Sequence, residues 1–369
     1  PGPNTYTGED ILEIYSHGGK TVFESFFNAL SSFKDVVYAE QGEFSKRAMI
    51  NGKINLVEAE AINDLINSQT EQQRILALNQ FKRGISVPLK KWRSMLINCM
   101  SIIEASIDFS DEEDVPKNLN IQKELLILKK EIINALKNKD CFELIKEGIK
   151  VVFTGKTNVG KSSLFNKIVN KERSIVSNEP GTTRDIIENK INLRGYAVIL
   201  YDTAGINKTK NKIEKEGINR ALNLIKKADL VIEVIDNIEN IKENTMKKNW
   251  CVLNKTDLLK KNELKNSKKL IAVSAKTGAG IEKLTNMIYL EVKKKTKLTK
   301  GTETLVSNTR QTKELQEALE AIEQALNENS IEIIGEYLRS ANRSLERVLG
   351  NIDVEEVLGN IFSSFCIGK

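Results

Sequence analysis

Cysteine is scarce and poorly placed for paired chemistry. The four cysteines, Cys99, Cys141, Cys251 and Cys366, stand far apart, with neither a metal-ligand spacing nor a disulfide framework. A disulfide-stapled secreted scaffold is excluded, and a reducing cytoplasm fits. Long apolar runs are missing as well: no segment approaches the roughly 18–20 continuous apolar residues of a membrane span. The opening Pro1-Gly2-Pro3-Asn4-Thr5 has neither the basic nor the apolar stretch of a secretory signal. It also begins on proline instead of methionine, so the chain is expected to lack its true amino terminus. Nor is there a strong charge of one sign. The 56 basic and 50 acidic residues leave +6, which permits RNA as a partner without requiring it, and the abundant Lys, Asn and Ile read as base-composition bias.

What is present is length and pattern. A chain of 369 residues suffices for two or three domains with real cores. Residues 1–52 combine a strand-like run, Asp10-Ile11-Leu12-Glu13-Ile14-Tyr15, with an apolar-periodic helix over 22–33, the two separated by Gly18-Gly19. Residues 53–147 read as helix almost throughout: Leu56, Ala59, Ile62 and Ile66 recur at three and four residues, as do Leu96, Met100, Ile103 and Ile107. The acidic stretch Ser110-Asp111-Glu112-Glu113-Asp114 before Val115-Pro116 breaks that pattern and reads as a solvated loop rather than a metal site. Over 148–298 strands alternate with helices, the strands expected at 151–154, 197–201, 230–235, 250–253 and 270–273. The run Lys293-Lys294-Lys295-Thr296-Lys297 reads as an exposed basic linker, and 299–369 returns to helical spacing at Leu315, Leu319, Ile322 and Leu326.

Five motifs in order carry the chemistry. The first strand of the alternating region runs into Gly155-Lys156-Thr157-Asn158-Val159-Gly160-Lys161-Ser162-Ser163, a glycine loop opening a helix. Backbone N–H groups there face phosphate charge, with Lys161 on the β- and γ-phosphates and the Ser162 hydroxyl on Mg2+. Gly181-Thr182-Thr183 follows, Thr183 being the second Mg2+ ligand, ordered only with the γ-phosphate present. Asp202-Thr203-Ala204-Gly205 places a carboxylate to hold the metal through water, and a glycine whose N–H approaches the γ-phosphate. Asn254-Lys255-Thr256-Asp257 selects the base: an aspartate carboxylate accepts from guanine N1–H and the 2-amino group, donors that adenine lacks. Lys255 covers the ring plane, and Ser274-Ala275-Lys276 completes the pocket. After Gly205 comes Ile206, which cannot orient water as a glutamine would. Two groups are candidates to replace it: Asn158, whose carbonyl oxygen is suited to a monovalent cation beside the phosphates, and Glu214, on composition alone an ordinary surface carboxylate. The fold expected is an α/β P-loop GTPase domain inserted into an all-α helical-bundle domain built from two separated segments, preceded by a truncated α/β amino-terminal domain.

With these motifs the chain resembles the MnmE (TrmE) family of tRNA-modifying GTPases. The likeness is carried by the loop containing Asn158, by Gly181-Thr182-Thr183-Arg184-Asp185, and above all by the terminal Phe362-Ser363-Ser364-Phe365-Cys366-Ile367-Gly368-Lys369. Pro3-Asn4-Thr5-Tyr6-Thr7-Gly8-Glu9-Asp10 and Gly42-Glu43-Phe44-Ser45 resemble the family's amino-terminal domain. The resemblance implies a folate-binding, dimerising domain at residues 1–52, helical segments at 53–147 and 299–369, and a GTPase domain between them. It implies GTP contacts from Ser177-Asn178-Glu179-Pro180 in addition to the motifs above. It also implies potassium-activated hydrolysis, with K+ on the side chains of Asn158 and Thr182 and the backbone carbonyls of Ser177 and Glu179, and with Glu214 as the catalytic glutamate. Glu13, Lys53 and Lys369 match positions that bind a tetrahydrofolate one-carbon donor, whereas the family's glycine-rich start and folate-contacting arginine are not in this sequence. The partners implied are tRNA, a second copy and the FAD-dependent MnmG, together placing an aminomethyl or carboxymethylaminomethyl group on wobble uridine in the cytoplasm. The alternative from the motifs alone is a ribosome-assembly GTPase of the Era or EngA type, an RNA-binding switch without modification chemistry.

Overall fold

The structure, a computed structural model, describes residues 1–108, 121–175, 187–203, 222–237, 250–259, 270–298, 306, 308–352 and 365. Two compact units share the chain: residues 1–67, 77–139 and 301–369 form one, and 68–76 with 140–300 the other.

The first unit is helical among its described residues. Its elements are α1 (Lys20–Ser31), α2 (Glu43–Ile50), α3 (Leu56–Ile66), the later part of α4 (Glu71–Arg83), α5 (Ser86–Asp108), α6 (Ile121–Leu136) and, after the second unit, α10 (Thr309–Asn327) and α11 (Ile331–Leu349). The helices start and stop where local chemistry says they should. Asn55 and Glu58 make a reciprocal capping box at the start of α3, and Gly350 closes α11 in the left-handed region at φ 82°. Side chains at three- and four-residue spacing face one core: Leu89, Trp92, Leu96 and Ile103 from α5, Leu125, Leu128 and Ile132 from α6, Leu315 and Ile322 from α10, Leu338 and Leu345 from α11. Segments about two hundred residues apart thus complete one hydrophobic interior, neither able to cover its apolar face alone. The Trp92 indole N–H, carried into that interior, donates to the Glu131 carboxylate at 2.7 Å.

One sequence expectation changes here, and a second is not tested. The run Asp10–Tyr15 alternates like a strand, yet residues 11–19 form no regular element and Leu12 and Tyr15 stand exposed. A strand needs a neighbour to take its N–H and C=O groups, and residues 1–67 contain no strand to supply one. The acidic stretch 110–114 lies outside the described residues.

The second unit carries a seven-stranded sheet in the order β2-β3-β4-β1-β5-β6-β7. The strands are β1 (Ile149–Thr154), β2 (Arg173–Ser174), β3 (Ile187–Leu193), β4 (Tyr196–Asp202), β5 (Leu230–Ile235), β6 (Trp250–Leu253) and β7 (Ile271–Ala272), with helices α7 (Lys139–Glu147), α8 (Lys161–Lys171) and α9 (Ile281–Lys295). β1 runs parallel to both β4 and β5, and β6 and β7 continue the parallel series, while β2 and β3 pair antiparallel. Because β1 is flanked on one side by a strand reached through β2 and β3 and on the other by β5, its carboxyl end lies at the point where the chain changes direction across the sheet. Ligands of open α/β sheets bind in such crevices. β1, α8 and α9 supply much of the core under that end, Val151, Phe153, Leu164, Ile168, Leu284 and Ile288 among it.

The expected strands are present, those at 230–235 and 250–253 with the same ends. The antiparallel pair was not anticipated. β3 also pairs antiparallel with β4, and the hairpin joining those two turns on Arg194 and Gly195, both at positive φ (51° and 94°), with the Asn192 side chain accepting from Gly195 N at 2.8 Å. Lys293, Lys294 and Lys295, read as linker, instead form the exposed last turn of α9, where cations offset the negative end of the helix dipole.

Candidate nucleotide site

The loop between β1 and α8 is shaped for something that comes close to its backbone. Gly155 sits at φ 134°, and a Cβ there would meet Val234 O at 2.2 Å. Gly160 sits at φ 90°, and a Cβ there would meet Asn254 Nδ2 at 2.3 Å. Between them Asn158 takes φ 62°, a conformation that asparagine tolerates better than most residues. Gly160 precedes the first turn of α8 and supplies no side-chain cap, so the N–H groups of that turn are left for an anion, which the helix dipole also favours.

Lys161 folds back over this loop, its ammonium donating to Gly155 O at 2.8 Å and to Lys156 O at 2.7 Å. The side chain is buried, and that burial pushes the ammonium below the ordinary lysine range, with Asp202 pulling the other way. Asp202 is fully buried at the end of β4, in register with Phe153 of β1, and Thr203 Oγ1 donates to Phe153 O at 2.8 Å. Among the described residues no group of three or more His, Cys, Asp or Glu side chains gathers to hold a metal alone. The donors at hand, the Ser162 hydroxyl and the Asp202 carboxylate, are hard oxygens in small number. That set suits Mg2+, an ion that shares its shell with phosphate and water.

The other end of the site is held by Asn254. Its buried amide donates to Val159 O at 2.9 Å, and its carbonyl oxygen accepts from Ala275 N at 3.0 Å. One side chain therefore joins the glycine loop to the segment after β7. Next to it Lys255 stands at φ 59°, with its ammonium 2.9 Å from the Asp236 carboxylate in a half-exposed pair. Pairs so exposed are worth little, and the lysine is free to exchange this partner for another. Asp257 is exposed and receives the Ser274 hydroxyl at 2.6 Å, while Ser274 in turn accepts from Thr277 N at 3.1 Å. The Ser274 bond above all holds the Asp257 carboxyl below its usual range, with smaller help from its own backbone N–H and from Lys276. The result is an oriented, ionised acceptor at the mouth of the site.

Of the residues singled out from sequence, the stretch 158–163, Asp202, Thr203, the stretch 254–257 and the stretch 274–276 lie at or just beyond the carboxyl ends of the parallel strands β1, β4, β6 and β7. Ser177, Asn178, Glu179, Pro180, Gly181, Thr182, Thr183, Ala204, Gly205, Glu214 and Lys369 lie outside the described residues. Glu13 and Lys53, in the helical unit, are both exposed: Glu13 accepts from the Tyr15 hydroxyl at 2.5 Å, and the Lys53 ammonium donates to Pro3 O. Asp236, the partner of Lys255, was not anticipated. Its signal in the sequence is a carboxylate directly after the apolar run 230–235, much as Asp202 closes the apolar run of β4.

The chain matches two family descriptions, the MnmE helical domain over residues 56–366 and the GTP-binding protein TrmE N-terminus over residues 1–53. It is 37% identical over 375 residues to the tRNA modification GTPase MnmE of Agrobacterium fabrum, covering 100% of this chain and 84% of that one. It is 40% identical over 381 residues to the protein of the same name from Pelagibacter ubique, covering 100% and 85%. A solved structure of Aquifex aeolicus Era is 23% identical, covers 49% of this chain and 68% of that one, and superposes only loosely at a TM-score of 0.30.

Two outcomes are expected of substitutions here. Asn254→Ala leaves Val159 O and Ala275 N each short of a partner, at about 1–3 kcal/mol per buried group, and lowers GDP affinity on the order of 10–100-fold by calorimetry. Ser274→Ala returns Asp257 toward the ordinary carboxylate range. Because the ionised form is the acceptor and is lost as pH falls through its pKa, the acid-side loss of GDP binding moves to higher pH, which a titration of affinity from neutral to acid conditions reads directly.

Proposed function

The chain belongs to the MnmE family of tRNA modification GTPases, and on that basis we propose that it hydrolyses GTP through the loop-and-bracket site above while modifying wobble uridine at C5. The observation that carries the nucleotide assignment is the bracket itself: Asn254 ties the phosphate loop to the segment bearing Ser274, and Ser274 aims Asp257. A carboxylate so fixed accepts from guanine N1–H and the 2-amino group, and adenine offers neither donor there. Lys161 would exchange its two carbonyl partners for phosphate oxygens, a charge-assisted bond replacing two to neutral groups. The N–H groups at the start of α8 would hold the same phosphates in place.

Ser162 and Thr183 would hold Mg2+, with Asp202 acting through water, and the bound ion would offset phosphate charge. Asn158 and Thr182 side chains with the Ser177 and Glu179 carbonyls would hold K+, which supplies positive charge where other GTPases insert an arginine. Asn158 supports that reading by its exposed position in the loop and its left-handed backbone. Glu214 would orient the attacking water, since Ile206 has no group to do so. Glu13, Lys53 and Lys369 would bind a tetrahydrofolate one-carbon donor. The partners proposed are tRNA, a second copy of the chain, and FAD-dependent MnmG in a heterotetramer, in the cytoplasm. No described helix is long and apolar enough to cross a membrane. Family membership favours modification over the ribosome-assembly alternative, which the five nucleotide motifs alone left open.

Two measurements test this reading. GTP hydrolysis is expected to run at least about tenfold faster in potassium than in sodium chloride at equal ionic strength, the expected yield of one well-placed charge; equal rates would remove potassium from the mechanism. Nucleosides from cells lacking the protein should lose the C5 substituent of wobble uridine by mass, and unchanged nucleosides would overturn the modification assignment while leaving the GTPase standing.

A further inference from the structure

Lys255 combines a strained backbone with a flexible side chain. Its φ of 59° lies in the left-handed region, which lysine seldom adopts. Its four-carbon stem carries much rotamer freedom, and pinning such a stem over a flat ligand costs entropy.

The backbone is held from both sides. Asn254 N donates to Ile235 O at 2.8 Å, so the parallel pairing of β5 with β6 runs one residue past the end of β6. Thr256 N donates to Val273 O at 3.2 Å, and Leu258 N donates to Lys255 O at 2.9 Å across the short 3-10 turn Thr256–Leu258. Lys255 is thus threaded between the Asn254 bracket and the turn that bears Asp257.

The side chain is held by Asp236. This carboxylate directly follows Ile235, so the bond that prolongs the β5–β6 ladder also sets it beside residues 254 and 255. Its Oδ2 accepts from the Lys255 ammonium at 2.9 Å, and the two side chains are 32% and 36% exposed. A pair so exposed adds little to the stability of the fold and can open. Its effect is local: with the Cα fixed at one end and the ammonium tethered at the other, the stem between them has few paths left.

We infer that Asp236 is a positioning residue for guanine recognition: it tethers the Lys255 ammonium so that the apolar stem already lies along one face of the base site. Part of the ordering entropy of that side chain is then lost before binding instead of during it. The inference rests on the nucleotide reading above, in which Lys255 covers the ring plane. The sign of the effect separates positioning from bare charge. A carboxylate repels an anionic ligand, so by charge alone the loss of Asp236 tightens GDP, whereas loss of a tether loosens it.

The test is GDP affinity of the full chain by calorimetry. Asp236→Ala is made both in the unsubstituted chain and in Lys255→Met, which keeps an apolar stem but has no ammonium to tether. In the unsubstituted chain it should weaken GDP about three- to fivefold, the range that a half-exposed ion pair can supply. In Lys255→Met it should leave affinity unchanged or make it tighter. Asp236→Glu keeps the charge and should recover part of the loss. Unchanged or tighter GDP binding in Asp236→Ala alone would overturn the role, and so would an equal loss in both backgrounds, the mark of a general disturbance at the end of β5. Should Asp236→Ala fail to fold, Asp236→Asn decides by the same criteria. An unsubstituted chain that binds no GDP would overturn the nucleotide reading itself, and the role of Asp236 with it.

Discussion

The nucleotide site depends on one buried amide. Asn254 uses its N–H to hold the glycine loop and its C=O to hold the segment after β7, so the phosphate end and the base end share a single bracket. An amide suits the task because it offers donor and acceptor from one rigid plane, whereas a carboxylate or an ammonium provides only one of the two. Gly160 is part of the same constraint: a side chain there would collide with the Asn254 amide nitrogen, so the loop's last glycine is fixed by the bracket as well as by its own φ. Once these are set, the remaining parts fall in line. Lys161 begins the helix that the loop opens, and Asp202 ends the strand beside β1.

The helical unit rests on the opposite strategy. It has one apolar interior assembled from chain segments on either side of the inserted sheet, with polar pairs placed where helices end. Arg310 is the clearest case. Its guanidinium bonds a nearly buried carboxylate on α3 and two carbonyls in the last turn of α11, tying a helix end to a neighbouring helix. A buried ion pair adds little net stability over an apolar replacement, but it fixes how elements meet. That is what a unit made from distant segments needs.

Much of this was legible in the residues. The apolar runs 230–235 and 250–253 mark buried parallel strands, and the helical spacing at Leu96, Ile103, Leu315 and Ile322 picks out side chains that share the core. What escaped has physical reasons. In β3 Glu188, Asn189, Lys190 and Asn192 dilute the apolar pattern, and the better clue, two consecutive left-handed residues at Arg194 and Gly195, depends on recognising that arginine adopts a conformation it usually avoids. The lysines at 293–295 look like a solvated hinge by charge alone, yet lysine is a good helix former and favours helix ends. Asp10–Tyr15 shows the reverse error, since alternation marks a strand only when a neighbour exists to pair with it. The motif Asn254-Lys255-Thr256-Asp257 announces guanine, but spacing cannot reveal that its first residue fastens two loops or that Asp236 engages its second.

Both margins of the sheet are brief. Among the described residues, β2 at one side and β7 at the other run for two residues each, while the strands between them run for four to seven. Unpaired strand margins template the addition of foreign chains, and length is what makes the template effective. Neither of these two-residue strands offers much ladder to an intruding polypeptide. Edge-to-edge growth on those two terminal strands themselves is correspondingly weakly templated.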